Sequence, residues 1–374
     1  MGDMPILRDR LKELQTRPGA RDYLARNITL DGRDSLWSVI VDVTKGCNLS
    51  CPTCWPAGPP SARCGDALIA RLKCEVLPHA LDIAVGCRHE PLLHPGLPRI
   101  IRELRRQRDA RGLPARLCLL TSGTLLDAKK SRELARCGLD TILFSIDSAD
   151  PDCYALVRPP ARWPELAARL AGFVRISRPT GLRLAAQALI MKSTLPHLAS
   201  TLETLADLGI GSFHFSQLAA APPRGRAEVL RLTARTKMGI VRALARARVA
   251  ARRRGVELEV PAIAPPPVPG ELFPVLAEGG VWDEDRLARS RPALCAAPWF
   301  KLRVDHGGYA FPCQMMVDRE LAWGNVLEQG FFEIVNGPAA QRTRAGLLAG
   351  RAPNPACRAC PFGPRVRNRQ TPGS

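Results

Sequence analysis

Short apolar runs alternate with longer amphipathic stretches through the first 218 residues of the chain. Runs rich in Val, Ile, Leu and Phe predict buried strands, and apolar positions at helical spacing predict helices between them. The predicted strands lie at 38–43, 80–85, 115–120, 141–146, 182–190 and 212–218. The predicted helices lie near 65–78, 96–111, 127–137, 161–176 and 196–208. This alternation indicates an α/β fold with a parallel sheet, and six strands favour an open, partial barrel with functional groups at the C-terminal strand ends.

The alternation ends after Leu218. The stretch AAAPPRGR interrupts it, a long Ala- and Arg-rich helix follows at about 227–254, and a Pro-rich stretch at 261–270 excludes regular structure. The last part of the chain is rich in turn residues and marked by cysteines. The expected domains are an N-terminal extension (1–35), an α/β core (36–220), a basic helix with a Pro-rich linker (221–294) and a small C-terminal domain (295–374).

Composition narrows the class of protein. A chain of 374 residues with 46% hydrophobic residues can bury a sizeable core. The longest apolar runs are interrupted by Arg, Asp or Pro, and the charged N-terminus is unlike a secretory signal. We therefore expect a soluble, cytoplasmic protein with no membrane partner.

The formal net charge of +19 raises the possibility of nucleic-acid binding. Six arginines fall within 242–255, yet aromatic residues make up only 5% of the chain and do not interleave with the basic ones. The pattern favours the solvated face of an amphipathic helix, so nucleic acid is not an expected partner. The positive net charge is also compatible with a substrate that carries a phosphate or carboxylate group.

Three of the 13 cysteines lie in one loop directly after the first predicted strand. Cys47, Cys51 and Cys54 have the spacing C-x3-C-x2-C. Without a signal peptide, grouped cysteines indicate a metal or cluster site rather than disulfides. Three thiolates leave a four-coordinate site one ligand short, which suits an iron–sulfur cluster with one open iron; a structural zinc site would need a fourth protein ligand.

This loop resembles that of the radical S-adenosylmethionine (SAM) superfamily, whose C-x3-C-x2-C motif follows the first strand of a partial (β/α)6 barrel. The resemblance implies that Cys47, Cys51 and Cys54 hold a [4Fe–4S] cluster whose open iron binds SAM. Reduction would cleave SAM to methionine and a 5′-deoxyadenosyl radical that abstracts a substrate hydrogen. The loop departs from the family at Thr53, where an aromatic residue is usual, and Trp55 follows instead.

The same resemblance implies a set of SAM-binding residues at the ends of later strands. The segment VGCRHEPLLHP corresponds to the Gly-Gly-Glu-Pro motif of the family with three inserted residues, LLTSGTLLD and ILFSIDS match two further segments, and the last two strands would approach the adenosine. The implied cofactor-binding residues are Gly86, Glu90, Pro91, Ser122, Ser145, Asp147, Gln187 and Leu218.

Four further cysteines lie in the C-terminal part: Cys295, Cys313, Cys357 and Cys360. Their order, with a predicted hairpin, a Gly-Asn segment and a final C-x2-C pair, resembles the SPASM/twitch extension of radical SAM enzymes. The resemblance implies a second, auxiliary [4Fe–4S] cluster, fully ligated and suited to electron transfer. A zinc ribbon with four cysteine ligands is the alternative.

The combination predicts a radical SAM oxidoreductase or epimerase acting on a small natural product such as an aminoglycoside-type sugar. An epimerase needs a cysteine that returns hydrogen, and the candidates are Cys87 and Cys153, with Cys64 as a third. Gln314, directly after the hairpin cysteine, counts against sulfatase maturation, where an aspartate is expected. Expected partners are a small-molecule substrate and a reductant such as flavodoxin or ferredoxin. The alternatives are a maturase of a ribosomally made peptide and a zinc-stabilised nucleic-acid-binding protein.

Overall fold

The computed structural model describes residues 37–54, 58–113, 115–218, 222–231, 233–260, 295, 297–358 and 360. The predicted N-terminal extension, Trp55 and the Pro-rich stretch lie outside these residues. The chain forms two compact units. The sheet unit comprises 41–64 and 82–290, and the terminal unit comprises 1–40, 65–81 and 291–374. The predicted domain bounds stay a prediction, since these units divide the chain differently.

A parallel sheet dominates the sheet unit. Its strands follow one another in the order β4, β5, β6, β7, β8 and β9, each pair parallel. They are β4 Ala80–Val85, β5 Arg116–Thr121, β6 Thr141–Ser145, β7 Arg183–Ile190, β8 Ser212–Gln217 and β9 Glu257–Glu259. β1 (Trp37–Val41) ends at the start of this unit, and a short hairpin of β2 (Thr44–Lys45) and β3 (Ala62–Arg63) frames the first cysteine loop. The predicted α/β class and all six predicted strands are confirmed; β9 was not predicted, because three residues carry too little pattern.

Helices of the sheet unit connect the parallel strands. They are α2 Leu97–Ala110, α3 Ala128–Ala135, α4 Pro151–Val157, α5 Trp163–Ser177, α6 Leu198–Asp207 and α7 Ala234–Arg254. The Asp127 side chain caps α3 by accepting a 2.7 Å hydrogen bond from the amide of Lys130. The basic helix begins later than the predicted residue 227, because Pro222 and Pro223 open a separate 3₁₀ turn and Thr233 then caps α7.

Side chains alternate between the two faces of the sheet. Phe144 pairs in register with Ala186 and packs edge-on against Phe173 of α5, with ring centroids 5.9 Å apart. This face is therefore covered by helices. The neighbouring residues of each strand, such as Ser145 and Gln187, point to the opposite face.

The terminal unit contains a second set of elements. They are α1 Asp66–Arg71, the π-helical turn Leu72–Val76, α8 Ala297–Phe300, β10 Lys301–Val304, β11 Tyr309–Phe311, β12 Gly324–Asn325, α9 Phe331–Asn336, α10 Pro338–Leu348 and α11 Pro355–Arg358. β10, β11 and β12 form an antiparallel meander. Arg71 donates to the carbonyl oxygens of Val326 and Gln329, at 2.7 Å each, so α1 is fixed to the C-terminal residues.

Apolar contacts reinforce that attachment. The imidazole of His79 stacks on the ring of Phe331 at 4.7 Å, and Trp37 meets the same ring edge-on at 5.7 Å. The helix predicted at 65–78 thus belongs to the compact unit of the late cysteines, which local pattern alone does not disclose. Among the helices that the structure describes, none is both long and apolar enough to cross a bilayer.

Candidate functional site

The first cysteine loop lies in the sheet unit directly after β1 and β2. Cys51 is buried, Cys47 is half-buried and Cys54 is exposed. Its backbone is held by several hydrogen bonds: the amide of Cys47 donates to the carbonyl of Gly58 at 3.0 Å, and that of Ser50 donates to Pro159 at 2.8 Å. The three thiols are therefore carried on one fixed loop.

Burial sets the protonation of two of these thiols. Desolvation raises the pKa of Cys47 to about 11, with the carboxylate of Glu90 and the neighbouring thiols adding to it. Desolvation also raises the pKa of Cys51, against the opposing influence of the Arg158 guanidinium. These thiols stay protonated at neutral pH unless a metal or cluster takes the place of the proton, as thiolate ligands require.

Glu90 is the centre of a buried hydrogen-bond network at the end of β5. Only 3% of the residue is exposed. Oε1 accepts from the hydroxyl of Thr121 at 2.5 Å and from the amide of Leu92 at 3.1 Å; Oε2 accepts from the hydroxyl and the amide of Ser122, at 2.7 and 2.9 Å. Two residues predicted as cofactor ligands, Glu90 and Ser122, are thus brought together, and the carboxylate is oriented before any ligand arrives.

This network reaches the cysteine loop. The hydroxyl of Ser122 lies 2.9 Å from that of Thr124, which accepts a 3.0 Å hydrogen bond from the side-chain amide of Asn48. The backbone amide of Glu90 donates to the carbonyl of Gly46 at 3.1 Å. Asn48 was not predicted, although its position beside Cys47 was a usable signal.

Gly86, which precedes the three inserted residues, requires the absence of a side chain. Its φ is +86°, and a Cβ would lie 2.6 Å from the carbonyl oxygen of Leu120 and 2.8 Å from the ring of Pro91. Two of the inserted residues are held by Asp42, whose carboxylate accepts hydrogen bonds from the amide of Cys87 at 3.1 Å and from that of Arg88 at 3.3 Å.

Asp147 forms a buried ion pair. Its Oδ2 accepts from Nε of Arg158 at 2.7 Å, and its Oδ1 accepts from the amide of Leu189 at 2.9 Å. The exposed fractions of the two side chains are 2% for Asp147 and 13% for Arg158. Desolvation lowers the pKa of Arg158, but Asp147 and Cys51 outweigh it, so the net pKa is raised and the guanidinium stays charged. The sequence analysis named Asp147 and missed Arg158, since only the fold brings the two together.

Two buried polar atoms around the cysteine loop have no hydrogen-bond partner among the described residues: Oδ1 of Asn48 and the hydroxyl of Tyr154. Desolvation raises the pKa of Tyr154, and its neighbours include Arg158, Asp147 and Cys51. Orphaned polar atoms at this depth fit a bound polar group. Among the described residues, no three His, Cys, Asp or Glu side chains are placed to hold a single metal ion. The fit of this site to a cluster with a bound ligand is therefore argued from the three thiols of the loop and from these two polar atoms.

A row of polar residues crosses four strands of the sheet at one level. Ser145 is in register with Gln187, Gln187 with His214, and His214 with Glu259. Paired residues of neighbouring strands share a face, so these four lie on the face opposite Phe144. We call them the polar row.

His214 is oriented within the polar row. Its Nδ1 lies 3.2 Å from Oε2 of Glu259, and its Nε2 lies 2.6 Å from the hydroxyl of Ser216. An Nδ1–H that donates to the carboxylate leaves Nε2 with a lone pair. His214 and Glu259 were not predicted; the pairing depends on β9, which the sequence did not reveal.

The remaining predicted residues of this site have apolar or structural surroundings. Leu218, Cys153, Val157 and Met191 form one small buried cluster, in which the Cys153 thiol donates to the carbonyl of Ser193 at 3.5 Å. Cys153 is 7% exposed, and desolvation raises its pKa.

The third predicted hydrogen donor is paired with an imidazole. Cys64 is buried, with its sulfur 3.7 Å from Nε2 of His94. The same nitrogen lies 3.3 Å from the Cys64 carbonyl oxygen, and Nδ1 of His94 accepts from the amide of Gly96 at 3.0 Å. These contacts suffice to explain both side chains structurally.

The four late cysteines lie in the terminal unit. Cys313 follows β11, and the amide of Cys357 is held by the side chain of Asn354 at 2.9 Å. Desolvation raises the pKa of Cys295 to about 11, and Cys313 and Cys360 raise it further. Desolvation raises the pKa of Cys357 to about 12, with the other three thiols contributing. These contributions indicate that the four thiols lie within electrostatic range of one another, and their role as ligands of one cluster stays a prediction.

Comparisons with known families agree with this geometry. Residues 41–176 match the radical SAM superfamily, and residues 295–361 match SPASM, an iron–sulfur cluster-binding domain. The chain therefore contains a radical SAM domain followed by a SPASM domain. These two domains imply SAM and two [4Fe–4S] clusters as cofactors. The resemblance predicted from the two cysteine sets is confirmed.

Two curated proteins match parts of the chain. The PqqA peptide cyclase of Streptomyces rochei is 33% identical over 121 residues, 30% of this chain and 30% of that protein. The GTP 3′,8-cyclase of Parasynechococcus marenigrum is 30% identical over 152 residues, 38% of this chain and 43% of that protein. The chain therefore spans less than half the length of either relative.

The fold is also similar to that of a solved structure. SuiB of Streptococcus suis bound to S-adenosylmethionine superposes with a TM-score of 0.62 at 14% identity, over 91% of this chain and 74% of that one. SuiB has also been solved with its precursor peptide SuiA, with a TM-score of 0.59 at 14% identity, over 92% of this chain and 74% of that one. At this identity the likeness concerns the fold.

Proposed function

We propose that this protein cleaves SAM reductively and oxidises a hydroxyl-bearing small molecule by removing a hydrogen atom from carbon. The observation that carries the proposal is the fixed loop of Cys47, Cys51 and Cys54 beside a buried, pre-oriented carboxylate and a buried guanidinium. When bound, the reduced cluster would supply one electron to SAM, and the cleavage of SAM would supply the 5′-deoxyadenosyl radical that abstracts hydrogen. The protein's own residues would bind and orient SAM and the substrate, and would accept the substrate proton.

Charge decides which parts of SAM meet which residues. Glu90 is a buried carboxylate and suits the ammonium of the methionyl group, whereas Arg158 suits its carboxylate. Tyr154 and Asn48 offer the orphaned polar atoms that such a ligand can satisfy. Ser145 ends β6, Asp147 follows it by two residues, and Gln187 lies beside Ser145 on β7; the resemblance implies cofactor contacts for these three residues.

The polar row supports oxidation in particular. Loss of hydrogen from a carbon that bears a hydroxyl leaves a hydroxyl proton to be removed before the electron can depart. Nε2 of His214 accepts from the Ser216 hydroxyl at 2.6 Å, so it can take that proton by way of this hydroxyl, while Glu259 beside Nδ1 stabilises the resulting imidazolium and fixes the ring. The four late cysteines, which close their cluster completely, suit it to receive the electron.

Epimerisation has weaker support. Two of the three candidate hydrogen donors, Cys64 and Cys153, are buried and engaged with His94 and with Ser193. Cys87 is half-buried and remains a candidate donor. Mass spectrometry separates the outcomes, because oxidation removes two hydrogens from the substrate and epimerisation leaves its mass unchanged.

A peptide maturase is the second candidate function. The partial match to a PqqA peptide cyclase and the fold shared with SuiB, solved with a precursor peptide, favour it. The match to a GTP cyclase favours a small molecule instead. An assay of peptide and small-molecule pools for substrate-dependent SAM consumption distinguishes the two.

SAM cleavage tests the general proposal. Anaerobically reconstituted protein should carry about eight irons per chain, in two four-iron clusters. With dithionite and SAM it should release 5′-deoxyadenosine, measured by liquid chromatography. A protein that takes up zinc but no iron, or one that leaves SAM intact, would show the proposal to be wrong.

The second cluster has its own prediction. Cys313→Ala removes one thiolate of the auxiliary site, so iron should fall from about eight to about four per chain while SAM cleavage continues. Product formation should stop, because the electron left on the substrate has no acceptor. Cys137→Ala, at a buried cysteine of the sheet unit, is the matched control and should keep both clusters. Unchanged iron in Cys313→Ala would contradict the assignment.

A further inference from the structure

One edge of the first cysteine loop is open to solvent. Cys54 is exposed whereas Cys51 is buried, so a cluster held by this loop would lie nearest to solvent at Cys54. This edge is bordered by the segment 222–231, which we call the loop-edge segment. Arg224 donates from Nη2 to the carbonyl oxygen of Cys54 at 3.0 Å.

The loop-edge segment is packed tightly against the loop. Gly225 lies so close that a Cβ there would collide with the carbonyl of Pro52 and with Thr53. Any side chain at position 225 would therefore push the segment off the loop. The packing holds this segment against the loop, with Arg224 directly before Gly225 and Arg226 directly after it.

The exposed charge of this segment has one sign. Arg224, Arg226 and Arg231 are all exposed. The one acidic residue of the segment, Glu228, is half-buried and accepts hydrogen bonds from the amide and the hydroxyl of Ser193, at 3.0 and 2.6 Å. The Glu228 carboxylate is thus bonded to Ser193, and the exposed charges of the segment are those of the three arginines.

We propose that the loop-edge segment is the docking surface for a small acidic electron-transfer protein of the flavodoxin or ferredoxin kind. The proposal rests on the proposed function, because it needs a SAM-binding cluster on Cys54. The step is a one-electron transfer: the reduced partner loses one electron, the cluster gains it, and no bond forms or breaks. Positive charge around the entry point attracts an acidic partner and favours short-lived, salt-sensitive complexes of small area.

The experiment compares two reductants in the same reconstituted enzyme. Dithionite is small and needs no docking surface, whereas a bacterial flavodoxin, reduced by its NADPH-dependent reductase, does. In the double variant Arg226→Glu/Arg231→Glu, flavodoxin-driven release of 5′-deoxyadenosine should fall about tenfold or more at low ionic strength. Dithionite-driven release should match the wild type. For the wild type, added salt should slow only the flavodoxin reaction.

A matched control separates local from overall charge. Arg246 and Arg253 are exposed on α7, outside the loop-edge segment, so Arg246→Glu/Arg253→Glu changes the net charge by the same amount and leaves that segment intact. It should keep the flavodoxin-driven rate within about twofold, since remote exposed charges are screened. Equal losses in both double variants would overturn the proposal.

Binding provides a readout that needs no turnover. Titration calorimetry of oxidised flavodoxin into the oxidised enzyme should show a dissociation constant about tenfold weaker for Arg226→Glu/Arg231→Glu than for wild type. Arg224→Gln should weaken binding less while keeping its iron. Unchanged affinity, or a wild type that cleaves SAM with dithionite but neither binds nor uses flavodoxin, overturns the docking surface alone. A wild type that fails with dithionite overturns the proposed function instead.

Discussion

Replacing Cys47, Cys51 and Cys54 together by alanine abolishes SAM cleavage: we expect no 5′-deoxyadenosine above the reagent blank. The three thiols are the proposed cluster ligands of the loop, and burial raises the pKa of Cys47 and of Cys51, so these two thiols stay protonated unless a cluster binds. Without thiolates, no iron of this site is held and no electron reaches SAM. Iron should fall from about eight to about four per chain, because the late cysteines keep theirs.

Cys74→Ala is the matched control for this variant. Cys74 is exposed and lies outside both cysteine sets, so its loss should change neither iron content nor SAM cleavage. Iron and 5′-deoxyadenosine are measured on the same anaerobic preparations. A triple variant that retains eight irons, or that still cleaves SAM, would place the catalytic cluster elsewhere in the chain.

Arg158→Met destabilises the fold strongly. Asp147 is 2% exposed, and the Arg158 guanidinium is the cation paired with it. Removing one partner of a buried pair leaves the other charge uncompensated, at about 3–5 kcal/mol. Because Arg158 keeps a small exposed fraction, we expect the lower end of this range: the variant should lose about 3 kcal/mol of unfolding free energy. Urea titrations followed by circular dichroism measure this loss.

Two variants isolate the ion pair from other effects. Arg162→Met removes an exposed arginine of the same segment and should cost less than about 0.5 kcal/mol. Asp147→Asn/Arg158→Met removes both charges, and the asparagine can still accept from the amide of Leu189. It should recover at least about 1 kcal/mol relative to Arg158→Met. A double variant as unstable as the single one would show that the lost packing of Arg158, not its charge, matters.

The order of the elements was accessible from the sequence because it depends on local pattern. Each predicted strand is an apolar run that becomes buried. Because the strands alternate with amphipathic helices, a parallel sheet covered by helices buries these apolar runs. The two cysteine sets were equally accessible, since their spacing is a property of neighbouring residues. The bounds of the basic helix were less so, because Pro222, Pro223 and Thr233 act together to delay its start.

The partners of the site residues could not be read from the sequence. Glu90 and Ser122 are separated by 32 residues, yet Glu90 accepts two hydrogen bonds from Ser122. The polar row needs three strand registers at once, and a shift of one residue would turn His214 to the other face. Such registers follow from packing of the whole sheet.

The sequence by itself determined the class of this protein: two cysteine sets of distinct spacing, placed after a strand and around a hairpin, in an α/β chain. Only the tertiary structure decided that Arg158 neutralises Asp147, that Glu259 orients His214, and that Arg224 lies on the carbonyl of Cys54. The reason is physical. The spacing of the cysteines is a local property that can be read directly from the sequence. Charge pairing and exposure depend on contacts between residues far apart in the chain.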